Sequence, residues 1–176
     1  HYPLRRQRQM CIRDRGFTTF TNYLAINERS DGLRRIRVLP WQDFEQQRYI
    51  EAEETPFVMY SQRNPEQDTD TLRYGFSSLK TPTKIYAYDM KTGEQELLKQ
   101  DGVLGDFDSS NYRTKRVWAK ADDGTEIPVS LLMRSDFEHD GTAPLYQYAY
   151  GSYGSSSDPY FRSTVLSLVD RGFVYA

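Results

Sequence analysis

Strand-like patterning dominates the chain. Phe20 to Ile26 (FTNYLAI) and Leu33 to Leu39 (LRRIRVL) flank the turn residues Ser30, Asp31 and Gly32. In the second run Ile36 and Val38 alternate with Arg35 and Arg37, the period of two expected of a half-buried strand. Phe57 to Tyr60 (FVMY) and Leu72 to Ser77 (LRYGFS) follow across the polar loop SQRNPEQDTD, and Leu72, Tyr74 and Phe76 share one face. KIYAYD and EQELLKQ then close on Met90-Lys91-Thr92-Gly93, a hairpin whose glycine suits a positive φ. Short strands at this spacing predict a β-sandwich or a β-propeller.

Residues 101–113 (DGVLGDFDSSNYR) interrupt that rhythm and read as a linker. Beyond them Arg116 to Ala121 (RVWAKA) and Ile127 to Met133 (IPVSLLM) flank Asp122-Asp123-Gly124, a second hairpin. Leu145 to Tyr150 (LYQYAY) is nearly continuous in apolar and aromatic residues, which predicts a strand buried on both faces of an α/β sheet. Ser163 to Asp170 (STVLSLVD) has helical spacing, with Val165, Leu168 and Val169 on one side, and Gly172 is placed to stop it before the strand FVYA. Strand, loop, helix and strand in that order predict entry into an α/β domain.

The first fifteen residues, HYPLRRQRQMCIRDR, have no period of either kind and no apolar stretch of a signal peptide. They are expected to be a translated sequencing-adapter scar; the competing expectation is a basic nucleic-acid arm. Setting them aside changes the charge. The whole chain holds 23 basic and 25 acidic side chains; five of those arginines and Asp14 lie in the first fifteen positions, so the rest carries 18 against 24, a net of −6. The single cysteine, Cys11, and His1 also fall there, leaving His139 as the lone histidine. A mildly acidic, cysteine-free segment predicts no nucleic-acid partner, no disulfide framework, no thiol nucleophile and no cysteine-based metal site. No run approaches the roughly 20 apolar residues of a membrane span. The apolar, uncapped end RGFVYA marks the chain as an expected fragment of something longer.

Candidate chemistry centres on YAYGSYGSSSDPYF, Tyr148 to Phe161. A nucleophile elbow requires G-x-S-x-G on a sharp strand-to-helix turn, and here Ser152 follows Gly151 directly. A nucleophilic serine also requires a base, and His139 sits among Glu138, Asp140 and Gly141 as a solvated loop histidine. This stretch is therefore no nucleophile site. On its residues alone Tyr150 reads as a core tyrosine with a satisfied hydroxyl.

The same stretch, followed by LSLVDRGFVYA, resembles the prolyl oligopeptidase family of serine peptidases, and within it oligopeptidase B. That branch carries a Y-G-Y-G-S-Y-G run, an acidic patch, a helix and a strand reading R-G-F-V-Y-A. RYGFSSLKTPTKIYAYDMKTGE resembles the last propeller blade of the family, and RVWAKADDGTEIPVSLL the hairpin that opens its catalytic domain. The resemblance implies that Tyr150 donates its hydroxyl to the tetrahedral oxyanion, a role in which one preorganised donor is worth roughly 10²–10³ in rate. It implies an aromatic wall of the substrate pocket at Tyr153. Asp158 matches an acid that faces basic substrates, as a carboxylate suits Arg or Lys; a plain turn residue before Pro159 is the equal alternative. Two positions depart from the family: Ala149 replaces a glycine and Tyr160 replaces a second acid. The family's serine, aspartate and histidine lie beyond the last strand.

The fold expected is thus β-rich, with C-terminal blades of a β-propeller over 16–110 followed by the start of an α/β-hydrolase domain over 111–176. The parent is expected to cleave short peptides after Arg or Lys, without cofactor or metal, as a monomer or weak dimer in the cytoplasm or the periplasm. A prolyl-specific peptidase is the near alternative, and a non-catalytic propeller binding module the distant one.

Overall fold

Turn chemistry decides where this chain reverses. Asp31 and Gly32 both take positive φ, 50° and 75°, the left-handed pair that a two-residue hairpin needs. They join β2 (Tyr23–Ser30) to β3 (Leu33–Pro40), whose ladder runs without a break from Tyr23/Pro40 to Ser30/Leu33. The computed structural model describes residues 13–176. Residues 1–12 of the stretch read as a scar lie outside the described residues, while Arg13 opens a strand, β1 (Arg13–Thr19), that pairs with β2 through a bulge after Asp14. The predicted strand at Phe20 to Ile26 is displaced. Phe20 begins a turn closed by its N–H donating to the Tyr23 carbonyl at 2.8 Å, and the strand starts at Tyr23.

The chain forms two compact units. The first comprises the residues up to Glu53 together with Val58–Phe76 and Lys84–Gln100. Its sheet has the order β1-β2-β3-β5-β6-β7-β8, with β4 (Arg48–Tyr49) paired to β3. The later strands are β5 (Phe57–Ser61), β6 (Thr71–Ser78), β7 (Lys84–Asp89) and β8 (Gln95–Gln100). Alternation sets its core: Ile36 and Val38 of β3 and Leu72, Tyr74 and Phe76 of β6 are fully buried, as the period of two requires. Gly93 takes φ +85° in the β7–β8 turn, where the Asp89 carboxylate accepts the N–H groups of Lys91 and Thr92 at 2.8 Å each. Those two bonds hold the Asp89 carboxyl below the usual carboxylate range.

Within this unit β3 meets β5 through one parallel register pair, Arg34 with Val58. Beside it the Asn27 side-chain carbonyl accepts from the Ser61 N–H at 2.8 Å and from the Ser61 hydroxyl at 3.1 Å. A side chain here supplies what a ladder bond supplies elsewhere.

Glu28 is the buried charge of the first unit, 1% exposed. Its Oε2 receives Arg37 Nε and a second guanidinium nitrogen, both at 2.9 Å, and its Oε1 receives the Tyr49 hydroxyl. Both carboxylate oxygens are thereby satisfied, which is the condition for burying one. Burial first, and the bond to Glu28 second, push the Tyr49 phenol upward.

The second unit comprises Glu54–Phe57, Ser77–Thr83 and Asp101–Ala176. Its four-stranded sheet has the order β11-β12-β10-β9. β9 (Tyr112–Lys120) and β10 (Glu126–Arg134) form the predicted hairpin, with Gly124 at φ +84°. β11 (Leu145–Tyr146) and β12 (Val174–Tyr175) are parallel, joined by a connection that holds the helix α1 (Ser163–Val169). A parallel pair requires such a crossover. Leu79, Tyr112, Leu132, Leu166, Val169 and Tyr175 build the core under it, with Phe107, Phe161 and Val165 at its margin.

Two expectations fail here. The run Leu145 to Tyr150 is not a doubly buried strand: it contributes two residues to β11, and Leu145, Tyr146, Tyr148 and Tyr150 are all exposed. β11 is the edge of the described sheet, and its side chains are exposed among the described residues. The helix is also turned on its axis. Leu166 and Val169, three apart, are its buried residues, and Leu168 is displaced to the flank. The helix stops as expected, with Gly172 at φ +89°. No described helix is long and apolar enough to cross a membrane.

Candidate functional site

The Tyr-Gly segment occupies the connection from β11 to α1. Its start is fixed by backbone: Ala176 N–H donates to the Tyr146 carbonyl at 2.9 Å and Tyr148 N–H to the Ala176 carbonyl at 2.8 Å, so the parallel ladder extends two residues past β11. The Tyr146 ring stacks on Tyr175, centroids 6.0 Å apart and planes 18° from parallel. The Arg162 guanidinium lies 5.2 Å from the centroid of the Tyr148 ring, a cation–π contact across the mouth of the segment.

Tyr150 is two residues past this fixed ladder. Its N–H donates to the Ser157 hydroxyl at 3.3 Å, which folds the serine-rich stretch back over the tyrosine, and its side chain is 52% exposed. Among the described residues Tyr150 is therefore not packed as a core side chain.

Ser152–Gly154 form one 3-10 turn, closed by Ser155 N–H donating to the Ser152 carbonyl at 3.0 Å. Tyr153 sits in it at φ 56°, ψ 29°, and is 99% exposed. A left-handed L-residue costs roughly 1–2 kcal/mol, and among the described residues no packing of the ring offsets that cost. Large aromatic side chains held this way are characteristic of sites that bind something.

Asp158 is partly exposed and precedes Pro159, which is buried. Its carbonyl accepts the Tyr160 N–H at 2.8 Å, a bond that suits a turn residue. The end of the segment is fixed at Phe161, whose N–H donates to the Ser77 hydroxyl at 3.1 Å. The segment thus brings Tyr150, Tyr153 and Asp158 onto one connection with anchored ends.

His139 is exposed, its ring edge-on to Phe137 at 5.0 Å, as a loop histidine. Among the described residues no group of His, Cys, Asp and Glu could hold a metal. A polar cleft of about 270 Å³ in the first unit is lined by Arg63, Asn64, Glu66, Thr69, Thr71 and Arg73. The arrangement at 148–161 can donate hydrogen bonds and offer an aromatic face and a carboxylate, and the bond-breaking groups of a hydrolase are not part of it.

Ser77, Ser157 and Arg162 were not legible as parts of this segment. Ser157 is one of three consecutive serines with nothing to distinguish it, and Ser77 lies 84 residues from its partner.

Residues 7–101 match the family described as the prolyl oligopeptidase N-terminal β-propeller domain. The chain is 47% identical over 162 residues to dipeptidyl aminopeptidase BI of Pseudoxanthomonas mexicana, covering 92% of this chain and 22% of that protein. It is 33% identical over 156 residues to protease 2 of Moraxella lacunata, covering 89% and 22%. Among solved structures it superposes on oligopeptidase B of Trypanosoma brucei, in its closed form with covalently bound antipain. The TM-score is 0.86 at 30% identity, over 94% of this chain and 24% of that one. The chain thus spans less than a quarter of the length of each of these relatives.

Proposed function

Because this chain belongs to the prolyl oligopeptidase family, close to oligopeptidase B, with a β-propeller domain in its first part, we propose that it is part of a serine peptidase that cleaves short peptides after Arg or Lys. The second unit is, in this reading, the opening of the α/β-hydrolase domain that would hold the nucleophile. Its parallel β11–β12 pair with α1 in the crossover is the topology such a domain is built from.

The observation that carries the reading is the presentation of Tyr150. Its backbone is fixed by a hydrogen-bonded ladder two residues away and the residue is half exposed. A donor preset on a rigid support is what stabilises developing negative charge, since it needs no reorganisation as the reaction proceeds. Tyr153, exposed and left-handed, supplies an aromatic wall to the substrate, and Asp158 faces its basic side chain. Tyr160 stands where the family has a second acid, so the basic-residue subsite rests on Asp158 with one carboxylate fewer. The propeller limits the enzyme to substrates without a stable fold.

A second reading draws on the name of the 47% identical relative, a dipeptidyl aminopeptidase. In it the same site releases dipeptides from a free amino terminus. One experiment separates the readings. The full-length enzyme is assayed on reporters carrying Arg, Lys or Pro before the scissile bond, each with a blocked and a free amino terminus. Cleavage of blocked Arg and Lys reporters supports the first reading; a requirement for a free amino-terminal dipeptide supports the second. Preference for Pro overturns the assignment of Asp158. Tyr150→Phe is expected to lower kcat by roughly 10²–10³ with little change in KM.

A further inference from the structure

Ser77 has zero exposure, and its hydroxyl both donates and accepts. Its proton goes to the Thr81 carbonyl at 3.1 Å, and its lone pairs receive the Phe161 N–H at 3.1 Å. A hydroxyl has one proton to give, so committing it to Thr81 leaves only acceptor character facing Phe161. The direction of the second bond is thereby set before the loop arrives.

The support beneath Ser77 is itself built. Ser78 Oγ accepts the Thr81 N–H at 3.0 Å, and the Ser78 N–H donates to the Thr81 carbonyl at 3.2 Å. The hydroxyls of Ser78 and Thr81 both donate to Glu54 Oε1, and Lys80 pairs with the other Glu54 oxygen at 3.4 Å. The short turn from 77 to 81 is thus held by hydrogen bonds among Ser77, Ser78 and Thr81 and by the Glu54 carboxylate of its own unit. At the other end of the bond, the Phe161 ring packs edge-on to Phe107 at 5.2 Å. Residues 151–157 between the anchors are exposed, and the Tyr150 N–H reaches back to the Ser157 hydroxyl across them.

We propose that Ser77 is a positioning residue for Tyr150: it fixes the far end of the Tyr-Gly connection through the Phe161 N–H, and so sets where the phenol is presented. The proposal rests on the reading of Tyr150 as an oxyanion donor. Burial excludes water from replacing the serine oxygen, so its loss frees the Phe161 end of the connection instead of being solvated away. A displacement of about 1 Å at a reacting group can cost about a hundredfold in rate.

The test is a double-mutant cycle in the full-length enzyme on its best reporter. Ser77→Ala is expected to lower kcat by about tenfold to a hundredfold with KM nearly unchanged, and Ser77→Thr, which keeps the hydroxyl, to recover most of it. In the Tyr150→Phe background, Ser77→Ala is expected to add nothing to the loss in kcat, because the group it positions is gone. Independent, multiplicative losses overturn the proposal, and so does a Ser77→Ala enzyme of normal kcat. If Tyr150→Phe itself is silent, the oxyanion reading falls and takes this proposal with it; if Tyr150→Phe slows the enzyme while Ser77→Ala adds to it, Ser77 alone is overturned. Should Ser77→Ala not fold, amide exchange in the unsubstituted enzyme decides. Phe161 is expected to exchange at least tenfold more slowly than Ser156 and Ser157, and equal exchange at the three positions overturns the proposal.

Discussion

The Tyr112 hydroxyl donates to Asp170 Oδ1 at 2.8 Å, tying the first residue of β9 to the residue that caps α1. Burial first, and this bond second, push the Tyr112 phenol up to about 12. Below pH 10, the usual tyrosine value, folded and unfolded chains both keep the proton and the bond contributes in full. Between 10 and about 12 the unfolded chain loses its proton first, and stability falls as pH rises through that window. Tyr112→Phe is expected to cost about 1 kcal/mol at neutral pH, since Asp170 is half exposed and water can take the vacated place. Urea unfolding of both proteins from pH 8 to 12 checks this. Their difference should shrink above pH 10, and a difference that stays constant excludes the bond as its cause.

The Glu28–Arg37 pair is a different case, because its carboxylate has no access to water. Glu28→Ala leaves the guanidinium and the Tyr49 hydroxyl without their acceptor, and should lower stability by about 3 kcal/mol, the low end for a broken buried pair. Arg37 keeps its bond to Gln47 Oε1 at 2.7 Å and is partly exposed, which limits the loss. Glu28→Leu combined with Arg37→Met should recover most of it. Urea midpoints measured at 0.1 and 1 M NaCl should show little salt dependence in the unsubstituted protein; strong screening would mean the pair is open to solvent.

Tyr153 should separate stability from binding. Tyr153→Gly removes the left-handed strain and is expected to raise stability by up to about 1 kcal/mol. In the full-length enzyme the same change should raise KM several-fold for peptides with a side chain at the aromatic wall, leaving kcat nearly unchanged. A stability loss would show that the ring packs on something, and an unchanged KM would remove Tyr153 from the pocket.

What could be read from the sequence was whatever local chemistry decides. Asp31-Gly32, Thr92-Gly93 and Asp123-Gly124 mark their hairpins because positive φ is a property of one or two residues. The buried faces at Ile36/Val38 and Leu72/Tyr74/Phe76 follow from alternation alone. Leu145 to Tyr150 misled because an apolar run looks the same whether or not a second layer covers it. In α1 the choice between Leu166 and Leu168 depends on where β9, β10 and β12 lie, which a seven-residue stripe does not specify. Tyr150 and Tyr153 were found by resemblance, while Ser77, being a contact between residues 84 apart, has no local signature.

The junction between β3 and β5 has a mechanical consequence. On either side of it the sheet is stitched by long runs of paired residues, eight between β2 and β3 and six between β6 and β7, while at the junction the register pair Arg34 with Val58 is backed by the Asn27 side chain. A fabric with one such perforation tears along it. Pulled apart, the first unit is expected to divide first between Arg34 and Val58, and Asn27→Ala to lower the force at which its two ladders part.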